Sequence, residues 1–338
     1  MDSDTQNRWE AMLAEFRSLG GVADNICIKD GQFGRGLFPS DPSKPVDIYI
    51  PESLLIDVQH LHFSHGVLTV GPESPAGPRE KAFLENYERE FAWGVHRHST
   101  EELMRELQGA RPELRAMMES PFDFGAWLVE INPKSVAERF FGSRGISYGE
   151  RAVVMPIIEL ANHGEGVTYK ISNGIRLSGR FEGEILARYE LVADSLQMFE
   201  TWGFAPPEDA AFSLRLGLEN AGIVIRRDGV KPAIVHGVPF VPDVSSSNGQ
   251  LTLSYLMLGH KKYPKLAKGI FYRIMRNAGR SQPEAESLFD TIAHTNRMQF
   301  YKLLALSEEA PPRLGRLLRN LARFQLEAMS NAIGTREI

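Results

Sequence analysis

The sequence predicts an α+β fold, in which a β-rich part made of short strands is followed by a mainly α-helical C-terminal domain. Three observations predict it: short β-rich runs separated by Gly, Pro, Asp and Ser clusters, a helical pattern that interrupts them, and long helical patterns in the last third of the chain. Because 338 residues are too many for one comfortable compact unit, we expect two domains.

Residues 1–23 predict a leading helix. Apolar side chains recur there at helical spacing, and two consecutive glycines then provide a natural stop. The residues that carry this pattern are Trp9, Met12, Leu13, Phe16, Gly20 and Gly21.

Residues 24–207 are predicted to form the β-rich domain, and the stretch Ala205-Pro206-Pro207 marks its end. A helical insert at about 78–119 interrupts it, because Phe83, Tyr87 and Phe91 lie four residues apart. Strand-like runs lie on both sides of this insert, at residues 26–28, 47–50, 66–70, 152–155, 168–171, 174–177 and 184–189.

Residues 208–338 are predicted to form the helical domain. A mixed region extends to about Gly249, and helices are expected at residues 251–278, 282–307 and 312–332. Residues 261–338 hold 14 Lys and Arg against 7 Asp and Glu, a net charge of +7, which leaves −12 for the rest of the chain. A basic face could therefore meet an acidic protein or a nucleic acid, although charged helix surfaces often serve only solubility.

Composition also limits the class of protein. A single cysteine, Cys27, forms neither an internal disulfide nor a thiolate zinc cluster, and no His/Cys spacing typical of a metal site is visible. The acidic, amphipathic start lacks the pattern of a secretory signal, and no apolar run approaches the roughly 20 residues that span a bilayer. We therefore expect a cytoplasmic protein with no bound metal and no membrane partner.

Four local features together indicate chemistry. They are Phe33-Gly34-Arg35-Gly36-Leu37, Glu138-Arg139-Phe140-Phe141, the stretch from Met155-Pro156 to Asn162-His163, and the stretch from Tyr189 to Gly203-Phe204. Each has an ordinary structural interpretation, since Gly34-Arg35-Gly36 reads as a turn and Asn162-His163 as a cap. Their order and spacing carry the information.

Together these features resemble the SET-domain protein methyltransferases, in particular the subgroup typified by the Rubisco large-subunit lysine methyltransferase. The resemblance runs from about Asp24 to Pro207. Gly34 to Leu37 resemble the glycine-containing loop for S-adenosylmethionine (AdoMet), Met155 to His163 the proline-to-Asn-His stretch, and Gly183-Glu184-Ile185 with Tyr189 the strand that ends in the catalytic tyrosine. The C-terminal helices resemble the subgroup's substrate-binding domain more loosely.

The resemblance implies residue roles. Tyr189 is the expected catalytic residue, and Trp202 and Phe204 are expected to line the substrate channel. Residues expected to bind the cofactor AdoMet are Gly34, Arg35, Gly36, Leu37, Arg139, Asn162 and His163. A lone surface arginine explains Arg139 equally well.

The implied activity is AdoMet-dependent methylation of a lysine side chain in a protein substrate, and a histidine acceptor stays open. Three departures bear on this activity: Asp194-Ser195-Leu196-Gln197 replaces a Ser-Asn-Ala-Glu run, Trp202 replaces a tyrosine, and Phe33 replaces an acidic residue. The first two of these departures support a second hypothesis, a catalytically inactive SET-scaffold module that only binds a protein. Nucleic acid binding by the basic helices is possible but not favoured.

Overall fold

The computed structural model describes residues 3–64, 66–228, 233–235 and 238–330. The chain divides into two compact units, the first formed by Met1–Glu101 and Glu130–Leu191 and the second by Glu102–Val129 and Val192–Ile338. The fold is α+β, as predicted. The division falls after Leu191, and residues 102–129, which include the end of the predicted helical insert, belong to the second unit.

The first unit consists of small sheets and helices. Its helices are α1 (Ser3–Ser18), α2 (Pro78–Phe91), the first part of α3 (Trp93–Gln108) and α5 (Pro133–Gly142). Its strands are β1 (Val22–Asp24), β2 (Ile26–Gly31), β3 (Gly34–Pro39), β4 (Val46–Pro51), β5 (Leu61–Ser64), β6 (Val67–Val70), β7 (Ile146–Tyr148), β8 (Arg151–Val153), β9 (Asn162–Val167), β10 (Lys170–Ser172), β11 (Gly174–Gly179) and β12 (Leu186–Ala187).

Strands β1, β4, β11 and β10 form an antiparallel sheet in that order, whereas β2 and β3 form a hairpin and β9 pairs in parallel with β12. The predicted leading helix packs on the insert through aromatic rings, since Trp9 meets Phe91 edge-on at 5.2 Å and Phe16 stacks on Phe83 at 5.8 Å. Burying these large rings supplies much of the stability of such a core.

The second unit contains the rest of α3, α4 (Pro112–Glu119), α6 (Ser195–Trp202), α7 (Leu266–Asn277), α8 (Gln282–Ser307) and α9 (Pro312–Ser330). In the described residues of this unit, the strands before α7 are β13 (Ala210–Phe212), β14 (Leu216–Leu218), β15 (Ile223–Arg226), β16 (Ala233–Val235), β17 (Val238–Val241), β18 (Asp243–Ser247), β19 (Gln250–Ser254) and β20 (Met257–His260). Strands β14, β15, β19 and β18 form one sheet in that order.

The prediction of helix from Leu251 is wrong. Residues 250–254 and 257–260 are strands, and the helix begins only at Leu266. The segment Gln250-Leu251-Thr252-Leu253-Ser254 alternates polar and apolar residues, which is the period of a strand. The end of the last predicted helix, beyond Ser330, lies outside the described residues.

Candidate active site

The glycine-containing segment forms the end of the hairpin β2–β3, where Asp30 pairs with Arg35 and Gly31 with Gly34. Gly34 has φ +97, a conformation that side chains with a Cβ rarely adopt. A Cβ on Gly36 would clash with Glu184 Oε1 and would lie 2.7 Å from Asn162 Nδ2. Two side chains from distant segments therefore lie directly against the Gly36 backbone, and a larger residue there would displace their polar ends.

Asn162 joins the hairpin to the strand that leads to Tyr189. Its Nδ2 donates to Glu184 Oε1 at 2.6 Å and, more weakly, to the Arg35 carbonyl at 3.3 Å. The backbone continues this junction, because the Ile185 N–H donates to the Leu37 carbonyl at 2.8 Å. Within the described part of the chain, no group donates to Asn162 Oδ1, so this acceptor is available to a ligand.

A strained turn precedes Asn162. Ile157 has φ 71 and ψ −58, and the Ile158 N–H donates to the Pro156 carbonyl at 2.9 Å. These values define a γ-turn of the strained kind, which is unfavourable for a β-branched residue and costs about 1–3 kcal/mol. Buried Ile157 thereby directs the 3₁₀ turn Ile158–Leu160 and sets the position of the Ala161 carbonyl.

Tyr189 uses that carbonyl. Its hydroxyl donates to the Ala161 carbonyl at 2.8 Å, and its backbone N–H donates to His163 Nδ1 at 3.4 Å. The His163 and Tyr189 rings meet edge-on at 5.2 Å. Burial raises the pKa of Tyr189 to about 12, and the charges of Glu159 and Glu184 add to this effect while Arg144 opposes it. The phenol therefore stays protonated near neutral pH and acts as a hydrogen-bond donor.

Two buried carboxyl groups lie in the same unit. Glu88 is 0% exposed and its Oε2 accepts from the Trp93 N–H at 3.2 Å, while the Glu159 side chain is 2% exposed and lies 3.8 Å from Arg144 Nε. Burial raises the pKa of Glu159 to about 7 against the opposing charge of Arg144, and burial together with the Glu159 charge raises the pKa of Glu88 well above its usual value.

These carboxyl groups give the stability of the protein a pH dependence. A carboxyl whose pKa is higher folded than unfolded keeps its proton longer in the native state, so the free energy of unfolding falls as pH rises through that interval. For Glu159 the interval runs from about 4.5 to about 7. We expect Glu159→Gln to lose less stability than the wild type between pH 5 and pH 8 in urea titrations. Parallel pH profiles for the two proteins would contradict this assignment.

The structure brings together most, but not all, of the residues predicted for the site. Gly34 to Leu37, Asn162, His163 and Tyr189 meet as described above. Arg139 lies half-buried on α5, where burial lowers its pKa to about 10, and it is not a partner of Asn162. Trp202 ends α6 and Phe204 follows Gly203, whose φ is +76. Both aromatic residues lie in the second unit, whereas Tyr189 lies in the first.

Sequence reasoning missed the part played by Glu184. It quoted this residue only within the Gly-Glu strand, yet the carboxylate lies against Gly36 and binds Asn162. This carboxylate comes from a segment about 150 residues further along the chain than Phe33, just before strand β12. The signal was its place directly before the strand that leads to Tyr189.

The departure after Tyr189 has a structural explanation. Asp194 caps α6 by accepting from the Gln197 N–H at 2.8 Å, and it accepts from the Phe212 N–H at 2.9 Å. Arg227 binds both of its oxygens, at 2.8 and 3.0 Å, inside the second unit. Burial alone would raise the pKa of Asp194, but Arg227 and these hydrogen bonds hold it below its usual value. The changed run therefore retains a complete helix start.

In the described ranges no group of three or more His, Cys, Asp or Glu residues could hold a metal ion. None of the helices described is both long and apolar enough to cross a membrane.

No protein-family model matches the sequence, and no curated protein matches it. Similar solved structures include the SET domain of LSMT bound to lysine and AdoHcy, with 14% identity, 99% of this chain and 91% of that chain covered, and a TM-score of 0.47. Rubisco LSMT bound to sinefungin and monomethyllysine gives 13% identity, 98% and 91% coverage, and a TM-score of 0.45. Rubisco LSMT bound to AdoMet has 12% identity, with 99% of this chain and 91% of that chain covered and a TM-score of 0.45.

Proposed function

We propose that this chain is an AdoMet-dependent protein methyltransferase of the SET type that methylates a lysine side chain of a protein substrate. The observation that carries the proposal is the junction at Asn162. Its amide links the Arg35 carbonyl to Glu184, and the chain on either side of it provides the Ala161 carbonyl and His163, which both bind Tyr189. Three of the segments that resemble the family in sequence, those containing Arg35, Asn162 and Tyr189, thus form one connected cluster.

The cluster has the chemistry that AdoMet requires. An ammonium group suits the Glu184 carboxylate and the available Asn162 Oδ1, because both are acceptors and one is negatively charged. The guanidinium of Arg35 is an appropriate partner for the carboxylate of the same ligand. Gly36 leaves no side chain between the hairpin backbone and these two groups. We therefore assign cofactor binding to Gly34 to Leu37, Asn162, His163 and Glu184.

The reaction is an in-line displacement, for which AdoMet supplies a methyl group on a sulfonium. The protein then has to align the two reactants. It also has to place oxygen atoms where they stabilise the partial positive charge on the methyl group. Tyr189 and the Ala161 carbonyl provide such oxygens, which accept weak C–H···O contacts. Burial raises the pKa of Tyr189 to about 12, so in the unliganded protein this phenol is protonated and donates to the Ala161 carbonyl.

The cluster does not distinguish a lysine from a histidine acceptor, and we keep lysine because the resemblance implies it. The alternative of a catalytically inactive binding module rested partly on the changed residues after Tyr189. The changed residues support this alternative only weakly, since Asp194 caps α6 and pairs with Arg227. AdoMet binding separates the two hypotheses before any substrate is known.

Calorimetric titration with AdoMet tests the site. We expect saturable one-to-one binding by the wild type and affinities weaker by about 10-fold or more in Asn162→Ala and Gly36→Ala, because each change removes or displaces a hydrogen bond to a charged group. Gly142→Ala is the matched control, since a Cβ there meets nothing within 4 Å.

Two outcomes would overturn the assignment. Folded wild-type protein that fails to bind AdoMet at millimolar concentrations would exclude an active enzyme and favour the binding module. Wild-type affinity in both Asn162→Ala and Gly36→Ala would place the cofactor elsewhere. Circular dichroism of each variant establishes that it is folded.

A further inference from the structure

A long groove lies within the second unit, outside the candidate active site. It has a volume of about 1540 Å³ and is bounded by α7 on one side and by the sheet β14-β15-β19-β18 on the other. Ala267, Phe271 and Met275 of α7 are buried, and Met275 also lines the groove together with the more exposed side of the helix.

The walls of the groove are apolar. On α7, Leu266, Ile270 and Ile274 follow one another at four-residue spacing, and all three are half-exposed. Opposite them, Ile223 and Leu251 are direct partners in the sheet and therefore point to the same face. Val241 and Val244 also line the groove and are 48% and 40% exposed. Apolar side chains left exposed in a continuous concave surface typically mark a binding site.

The charge of the groove has one sign. Its lining includes Lys262, Lys265, Arg273 and Arg280, and among the lining residues described there is no Asp or Glu. Lys262 lies 2.6 Å from Asp209 and Arg280 lies 3.8 Å from Glu284, so part of this charge is already compensated. Lys265 and Arg273 are exposed, and neither forms an ion pair within the part of the chain that the structure describes.

One edge of the groove can also form backbone hydrogen bonds. Strand β18 lies at the end of its sheet, pairs with β19 on one side, and has five exposed residues. Val244 and Ser246 of β18 point into the groove, which places the strand beside any ligand there. An extended peptide can join such an edge, and its alternate side chains then enter the adjoining pockets.

We propose that this groove binds an acidic, extended segment of a partner protein, with apolar side chains between α7 and the sheet and carboxylates at Lys265 and Arg273. The apolar walls favour a peptide over nucleic acid, because a nucleic acid groove pairs its basic residues with several stacking aromatic rings. Tyr263 is the aromatic residue in the described lining. The proposal goes beyond methyl transfer, since neither AdoMet nor turnover is needed for this binding.

Fluorescence anisotropy with a labelled peptide of alternating Glu and Leu tests the proposal on the full chain. We expect saturable binding that weakens about 10-fold or more in Lys265→Glu/Arg273→Glu, because two attractive contacts become repulsive. The matched control is Arg316→Glu/Lys302→Glu, which changes the net charge equally at exposed residues of α9 and α8, helices that contribute no residue to the described lining. We expect this control to bind within about twofold of the wild type, since exposed charges away from the groove are screened by salt.

Two further peptides separate the contributions. Replacing every Leu by Ser, or every Glu by Lys, should each abolish saturable binding if both the apolar walls and the charge contribute. Equal binding of all three peptides, or equal weakening by both double variants, would overturn the proposal. So would a single-stranded oligonucleotide that binds in the groove while the Glu-Leu peptide does not, which would indicate a nucleic acid partner. A failure in this test leaves the AdoMet titration unaffected, so the two proposals fail separately.

Discussion

Tyr189→Phe is expected to bind AdoMet as the wild type does and to transfer methyl groups about 10²-fold more slowly or worse. The substitution removes the hydroxyl that donates to the Ala161 carbonyl at 2.8 Å and leaves the ring against His163. Losing one group that stabilises charge in a transition state commonly costs 10²–10³-fold in rate, about 2.7–4 kcal/mol. The measurements are calorimetry with AdoMet and single-turnover transfer to an acceptor protein found by a search with labelled AdoMet.

Tyr148→Phe is the matched control for this prediction. Its hydroxyl likewise donates to a backbone carbonyl, that of Ser172 at 2.9 Å, but it lies on β7 outside the cluster. We expect this variant to keep wild-type activity. A Tyr189→Phe enzyme as fast as the wild type would show that the hydroxyl does not contribute to transfer. Loss of AdoMet binding in the Tyr189→Phe variant would instead show that the hydroxyl is needed to maintain the structure of the cofactor site.

Arg227→Met is expected to destabilise the second unit by about 3–5 kcal/mol, because it leaves the Asp194 carboxylate buried without its counter-charge. Arg227 and Asp194 side chains are only 2% and 0% exposed, and the pair connects the start of α6 with β13. Urea unfolding followed by tryptophan fluorescence and circular dichroism measures the change. The loss should be largest near neutral pH and smaller at acid pH, where protonation of Asp194 relieves the unpaired charge.

A surface pair of similar geometry provides the comparison. Arg176 binds both oxygens of Asp47 at 2.7 and 2.6 Å, but their side chains are 46% and 32% exposed. Arg176→Met should therefore cost about 1 kcal/mol or less. If Arg176→Met and Arg227→Met lowered the free energy of unfolding equally, burial would not explain the contribution of the Arg227–Asp194 pair.

The sequence was most informative where one period dominates a long segment. The helices at residues 78–119 and at 282–307 repeat apolar residues every three or four positions, and α2, α3, α4 and α8 lie there. Residues 251–260 were misread because short strands in a mixed region offer too few residues for a period to stand out. Local patterns also conceal Ile157, since a β-branched residue is the least expected at positive φ.

The candidate site was only partly predictable, because its main contacts join distant segments. Asn162 and Tyr189 were found from the order of short motifs, but the Glu184 carboxylate beside Gly36 depends on the pairing of strands far apart in the chain. Arg227 lies 33 residues beyond Asp194, and neither residue shows in sequence that the other compensates its charge. Periodicity cannot reveal such pairs, since they are determined by tertiary packing.

The interleaving of the two units has a consequence for synthesis on the ribosome. Residues 102–129 emerge early but belong with residues 192–338, whereas residues 130–191 complete the other unit. Phe122 packs edge-on against Phe300 at 5.3 Å, and the rings of Phe124 and Phe199 lie 4.7 Å apart. Both rings of the early segment therefore pack against residues that are translated much later. Domains usually fold in order from the N-terminus as they emerge. Here the early segment is complete only after α8 has been made, and a fragment that stops at residue 207 lacks Phe300, against which Phe122 packs.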